Sequence, residues 1–401
     1  MPHLETAHKV SFSGSRLYLG WLLLRGYLMM IPTIGLNRFW LTTRKRRFYW
    51  SNTEIDGDTL EYTGDAGQLL TGFLMALVIF IPLYGLFFYL STQSSQVIII
   101  GYGSVALLVW FLHGYATYRA RDFRLSRTLW RGIRFDQTGN AWTYAVRRFA
   151  WSLLNVGTLG LAYPFMAANL WSYRYRHTWY GDRPFAFSGS WRQLLAPYYP
   201  AWLVCAGLAV AGLVIANEGG VLDDPFAADI TVYPWLFALA LVILVVSSLY
   251  RAVEMSRMFS AVSLGGARLT LRLSPLRLIG QYVLFAFGLL AVYLLLALGG
   301  LLVMGLVAAP AFAGGEFDPA LLLRAMQSSV VTLLAVVTGY LLIFGAFVFV
   351  HELILGYGFW KLVVTSAAIS GVETLDGVRA RAEDKALAGE GLADALNVGG
   401  Y

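Results

Sequence analysis

Arginine interleaved with aromatic residues is the pattern in this chain best suited to chemistry. The stretch Tyr118–Arg148 carries Arg124, Arg127, Arg131 and Arg134 around Trp130 and Phe135, in the string FRLSRTLWRGIRF. A guanidinium forks a phosphate while a neighbouring ring sits at the headgroup level, so these residues suit an anionic lipid surface. The alternative is that they only fix orientation and pair with Asp122 and Asp136. His351-Glu352 opens HELIL, which lacks a second histidine four residues on and is therefore no zinc-protease motif. The pair ends an apolar run, where an ionisable residue is a functional candidate or a plain boundary residue. His113, close to Tyr115 and Arg119, carries the same two readings. Five scattered histidines and the single Cys205 offer no metal-ligand spacing. No phosphate loop, dinucleotide fingerprint, nucleophile elbow or carboxylate pair is present, so neither a cofactor nor an enzymatic activity is expected.

Arg25 and Asn155 form the second candidate group. Each lies in an apolar run that is interrupted: Leu17–Leu36 by Pro32 and Gly35, and Phe149–Trp171 by Gly157, Gly160 and Pro164. Arg25 can snorkel to the headgroups. Alternatively, Arg25 and Asn155 line one polar cavity between two broken helices, whose inward amino termini could hold an anion.

These residues need a membrane scaffold to position them. The chain is 58% hydrophobic, 15% aromatic and 13% charged, against about 25% charged in soluble domains. The net charge of +7 comes from arginines that flank apolar runs instead of forming one groove, which argues for membrane lipids and against nucleic acid as partners. Uninterrupted runs at Leu69–Leu90, Val97–Tyr115, Leu194–Ala216, Val232–Tyr250, Leu278–Ala308 and Ser329–Tyr357 are long enough to span. Between them recurs one unit: a basic aromatic helix, a strand, a glycine turn and a second strand, beginning near Trp40, Tyr115, Trp171, Tyr250 and Trp360. Asp56-Gly57, Gly181-Asp182 and Gly265-Gly266 mark hairpin turns. The first hairpin is expected from Phe48 to Thr63, and a fifth over Lys361–Leu375. The turn T-x-G-L occurs twice in register, at Thr33, Gly35 and Leu36 and at Thr158, Gly160 and Leu161, and Phe-Ser-Gly-Ser also occurs twice.

Counting both broken runs as crossings divides the basic units between the two faces, against the positive-inside rule. If both dip and return, all five units are cytoplasmic. The external segments Ser91–Gln96, Asn217–Ile230 and Ala309–Gln327 then hold one of the thirty Lys and Arg residues, Arg324. The expected fold is a mainly α membrane protein of six transmembrane helices plus two re-entrant helical hairpins, with repeated cytoplasmic β-hairpins forming a small β-rich layer. Residues 1–375 are expected to form a single integral membrane domain and 376–401, rich in Ala, Gly and acids, a flexible cytoplasmic tail.

The strings FRLSRT (Phe123–Thr128) and WRGIRF (Trp130–Phe135), with the T-x-G-L turns and the Asp56-Gly57 hairpin running on to Gly64, resemble the bacterial YjgN family (domain of unknown function 898). The resemblance extends to about Val364. It implies a multi-pass protein of the bacterial inner membrane and brings no reaction or substrate with it, while the parity of the spans places both termini in the cytoplasm. Two functional readings stand: a transporter or channel for a small anionic solute, from the paired broken helices, or a non-enzymatic scaffold binding anionic lipid, from the basic aromatic layer.

Overall fold

The computed structural model describes residues 8–225, 229–308, 329–381 and Asp394. Its chain makes five helical excursions from one sheet. The first leaves β1 (His8–Lys9) and β2 (Ser11–Phe12), runs out as α1 (Arg16–Leu28), returns as α2 (Asn37–Ser51) and re-enters the sheet at β3 (Thr53–Ile55). From β4 (Asp58–Tyr62) the second is α3 (Ala66–Ser91) and α4 (Ser95–Leu125), ending at β5 (Thr128–Trp130). The third runs from β6 (Ile133–Gln137) through α5 (Ala141–Gly157) and α6 (Tyr163–Arg176) to β7 (Thr178–Tyr180). The fourth joins β8 (Arg183–Phe187), α7 (Arg192–Glu218), α8 (Val232–Ser260) and β9 (Val262–Leu264). The last passes from β10 (Ala267–Leu271) into α9 (Pro275–Ala308). It returns through α10 (Ser329–Val350), a π turn (His351–Gly356) and α11 (Tyr357–Thr365) to β11 (Ala367–Ser370).

Among the described residues six helices are long and apolar enough to cross a membrane: α3, α4, α7, α8, α9 and the continuous helix Val337–Thr365. About 20 apolar residues cover the hydrocarbon core, so the chain is a membrane protein. Side chains finish the helix ends that leave the sheet. Asp65 accepts from the Gly67 amide and Asn140 from the Trp142 amide, each satisfying a backbone donor that the first turn leaves open.

The sheet is antiparallel throughout, in the order β1-β11-β10-β9-β8-β7-β6-β5-β4-β3-β2. Its two ends are one extended segment: Lys9 pairs with Ala368 and the Val10 amide donates to the Ala367 carbonyl, while Ser11 pairs with Glu54. Neighbouring residues of a strand point their amides to opposite edges. The segment 8–12 therefore bridges β11 and β3 and closes the sheet into a ring, which leaves no open edge among the described strands. Two of the tight turns, Asp56-Gly57 and Arg131-Gly132, put both central residues at positive φ, the conformation that matches hairpin twist.

Alternate side chains of every strand pair meet inside the ring. Ile55, Leu60, Trp130, Phe135, Tyr180, Phe185, Leu264 and Ile369 belong to one apolar cluster, which Val372, Leu375 and Val378 close from the side of the tight turns. Gly371, at φ +72, turns the chain into this plug.

Several expectations change here. The amino-terminal segment 8–12 supplies the closing strand. Strand structure in the first hairpin begins at Thr53, because Phe48–Ser51 completes α2 with Phe48, Tyr49 and Trp50 buried. The expected fifth hairpin is not local: Lys361–Thr365 is helical, none of the described residues after Gly371 forms a return strand, and β11 takes its partners from β10 and the amino terminus. The hairpins of the expected β-rich layer pair with one another into one closed sheet. Past residue 375, Asp376, Val378, Arg379 and Arg381 still touch the ring, the Arg379 amide donating to Asp182 and the Arg381 guanidinium lying over Trp179. The rest of the tail other than Asp394, the loop Ala309–Gln327 and residues 226–228 lie outside the described residues.

Both interrupted runs are helix-turn-helix. In each, the T-x-G-L turn takes the same form: Ile34 and Gly35 in one, Leu159 and Gly160 in the other, lie at positive φ. Thr33 and Thr158 donate back to the carbonyls of Met29 and Leu154 and accept from the amides of Asn37 and Ala162. The hydroxyl thus joins the outgoing helix to the returning one. The apical side chains are apolar and face outward, Ile34 at 92% and Leu159 at 82% exposure.

Candidate functional site

Arg44, Lys45, Arg46 and Arg47 follow one another on α2, and about 100° per residue sends them in different directions. Arg44 and Arg47 are exposed and line an open groove of about 780 Å³ with Ser13, Ser15, Tyr18, Ser51 and Asn52, where α1 begins. Arg44 also lines a second groove of about 560 Å³, with Ile34, Leu36 and Trp40, that runs toward the tip of the hairpin. Lys45 turns to the fifth excursion and forms an ion pair of 2.9 Å with Glu352 in the π turn. A π turn shifts the following side chains around a helix, and here it falls where Glu352 meets α2.

Arg46 points inward and is 1% exposed. Its Nη1 donates to the Tyr62 hydroxyl at 2.9 Å and to Asp394 Oδ2, and its Nη2 donates to Asp394 Oδ1 at 2.9 Å. Arg124 Nη1 reaches the same Oδ1 at 3.1 Å. A carboxylate is therefore forked by one guanidinium and touched by another, the geometry that gives charge-assisted pairs their strength. Burial alone would pull the Arg46 pKa down, but Asp394 and Tyr62 outweigh it and the net direction is up. Burial pushes the Tyr62 phenol up from its ordinary value. Among the described residues Arg46 Nε has no acceptor.

The same position recurs around the ring with different chemistry. Two helical turns before β3, β5, β7 and β9 stand Arg46, Arg121, Trp171 and Met255, and at the end of the next strand stand Tyr62, Gln137, Phe187 and Leu271. Arg121 donates to Gln137 and, at 2.9 Å, to Thr178. Trp171 and Phe187 instead join an apolar cluster with Leu194 and Met258. Met255 and Leu271 do so with Ala252 and Leu362.

The sequence-derived candidates are spread over the molecule. Arg124 faces Asp394, as above. Arg127 lies over the Phe123 ring at 3.8 Å and donates to Gln68. Trp130 is inside the ring at 4% exposure. Arg131, at the turn, pairs with Asp56, Asp58 and Asp376, tying two hairpins to the plug, and its carboxylate partners raise its pKa. Arg134 is on the exposed face of β6. His113 is exposed on α4, and His351 is exposed beside the rings of Phe285 and Phe347. Arg25 is exposed on α1, which packs on α2, α10 and the π turn, whereas Asn155 is on α5, which packs on α4 and α6.

Sequence reasoning missed Arg46, Tyr62 and Asp394 as partners. Arginine recurring at the same distance before Thr53 and Thr128 was a usable signal for the first two. Asp394 carried none.

No curated protein and no solved structure matches the chain. The model of a family described as bacterial proteins of unknown function (DUF898) matches residues 7–395, nearly the whole sequence, and the chain belongs to that family.

Proposed function

We propose that this protein is a non-enzymatic scaffold of the bacterial inner membrane that holds an anionic lipid on its first helical hairpin. The observation that carries the reading is Arg44, which stands where the groove of Arg47, Ser13, Ser15, Tyr18 and Phe48 meets the groove of Ile34, Leu36 and Trp40. A phospholipid needs both: a guanidinium for the phosphate and an adjoining apolar track for the acyl chains.

In this reading the chain is one unit used five times, with the amino-terminal strand completing the fifth copy. The two short hairpins dip into the membrane and return. At 1.5 Å per residue the 13 residues of α1 and the 17 of α5 reach about 20 and 26 Å, short of the roughly 30 Å core. The second tip has its carbonyls covered by the spanning helix α7, where Trp202, Tyr198 and Tyr199 donate to Leu159, Gly160 and Leu161. Covered carbonyls are what irregular backbone at membrane depth requires. All basic units belong to one ring, so the positive-inside rule favours a cytoplasmic ring and cytoplasmic termini. Transport would gain from a cavity shared by Arg25 and Asn155. Those residues stand on hairpins with different neighbours, so the scaffold reading is the better supported.

The test is lipid retention by the purified protein, measured by native mass spectrometry after exchange into mixed phosphatidylglycerol and phosphatidylcholine. Phosphatidylglycerol is expected to be retained preferentially, and Arg44→Ala/Arg47→Ala is expected to lose that preference with the fold intact. Equal retention of both lipids by the unaltered protein would end the proposal.

A further inference from the structure

The ring supplies its own control for the buried charges at its rim. In the third and fourth excursions the position of Arg46 and Tyr62 is filled by Trp171 with Phe187 and by Met255 with Leu271, and the strands still pair. Closing the sheet therefore does not call for arginine. Burying ion pairs costs desolvation that apolar packing avoids, so the charged version must answer to something other than closure. Its carboxylate comes from Asp394 near the end of the chain, 348 residues from Arg46 in sequence, and not from the ring. One further donor, Arg46 Nε, is buried without an acceptor among the described residues.

We propose that Arg46, Arg124 and Tyr62 form a binding site for a phosphate-class oxyanion, which the chain's own Asp394 fills in the state described here. The Nη1 and Nη2 fork of Arg46 takes two oxygens, Arg124 takes one of the same two, and the Tyr62 hydroxyl accepts from Nη1 beside them. Asp394 is thus a self-ligand, and an incoming phosphate replaces it on the same donors. The phosphate can be free in solution or carried on a lipid headgroup, since the donors recognise the oxygens common to both. This site is separate from the Arg44 groove and does not rest on the lipid-scaffold reading.

The experiment is thermal unfolding of the full-length protein in detergent, followed by tryptophan fluorescence. Wild type, Asp394→Ala and Asp394→Ala/Arg124→Ala are titrated with inorganic phosphate, with phosphatidylglycerol micelles, and with chloride at matched ionic strength. Asp394→Ala is expected to melt below wild type and to be raised saturably, by about 3 °C or more, by at least one phosphate source. Wild type should respond less and the double variant not at all. Response to inorganic phosphate identifies a soluble ligand, and response to the lipid alone identifies a headgroup. If Asp394→Ala does not fold, Asp394→Asn keeps the side-chain shape and one acceptor oxygen and is titrated in its place. A flat response to both phosphate sources, or the same shift with chloride, overturns the site. The response should persist in an Arg44→Ala/Arg47→Ala background, so failure of the groove and failure of this site are distinguishable.

Discussion

The first and third excursions arrive at the ring in the same way and meet it with opposite chemistry. In the first, Arg46 crosses to Tyr62 and Asp394; in the third, Trp171 lies with Phe187 in an apolar cluster. Both strands that follow the returning helices open on a threonine that donates back to the helix, Thr53 to Tyr49 and Thr178 to Arg174. The strands that follow pair in the same antiparallel sense. The difference teaches that backbone pairing and the apolar interior are enough to build the ring, and that charge at its rim is an addition.

Breaking one side of that comparison should have the largest effect. Arg46→Met leaves the Asp394 carboxylate buried beside Arg124 alone and is expected to cost about 3–5 kcal/mol, the usual penalty for removing one partner of a buried pair. The measurement is the midpoint of thermal or denaturant unfolding in detergent.

Tyr62→Phe sharpens the comparison more gently, since it makes the strand end resemble Phe187 and removes one hydrogen bond from Arg46. A loss of about 1 kcal/mol is expected at neutral pH. Its pH dependence has a definite sign. Burial raises the folded-state pKa of Tyr62 above its ordinary 10.0, so the unfolded phenol ionises first. The stability involved is complete below pH 10 and is lost as pH rises through the folded value. Tyr180, pushed up to about 12 mainly by burial, acts in the same direction. Tyr62→Phe should therefore flatten part of the alkaline decline in the unfolding midpoint and leave the rest.

The smallest effect is expected at Arg131. Its three ion pairs lie at the solvent-facing turn, with the Asp376 side chain 71% exposed. Exposed pairs contribute at most about 1 kcal/mol each. Arg131→Ala should shift the midpoint little, and amide exchange should locate its effect in the plug at residues 372–378.

Much of this fold could be read from the chain. The spans follow from length and hydropathy, and the Asp56-Gly57 and Gly265-Gly266 turns from the backbone angles such turns require. The T-x-G-L turns were visible because a threonine hydroxyl and a glycine at positive φ leave a compact mark. Ring closure was not visible, since segment 8–12 meets β11 and nothing local in HKVSF names a partner more than three hundred residues away. Trp130 reads as an interfacial aromatic beside arginine. Strand parity sends it inward with Thr128, and that parity becomes readable only once the turn at Arg131-Gly132 is fixed. Asp394 sits in a stretch whose composition suggests disorder, so the sequence offers no reason to bring it to Arg46.

The claim that charge at the first junction serves an anion and not closure is tested most directly by replacing the whole set with apolar residues. The variant Arg46→Met/Tyr62→Phe/Arg124→Leu/Asp394→Leu gives the first junction the chemistry that Met255 and Phe187 have at theirs. The measurement is its unfolding midpoint in detergent with and without inorganic phosphate. The account predicts a folded protein with a midpoint close to that of wild type and no phosphate response. A variant that fails to fold although its junction is uncharged throughout, or that still gains stability from phosphate, would contradict it.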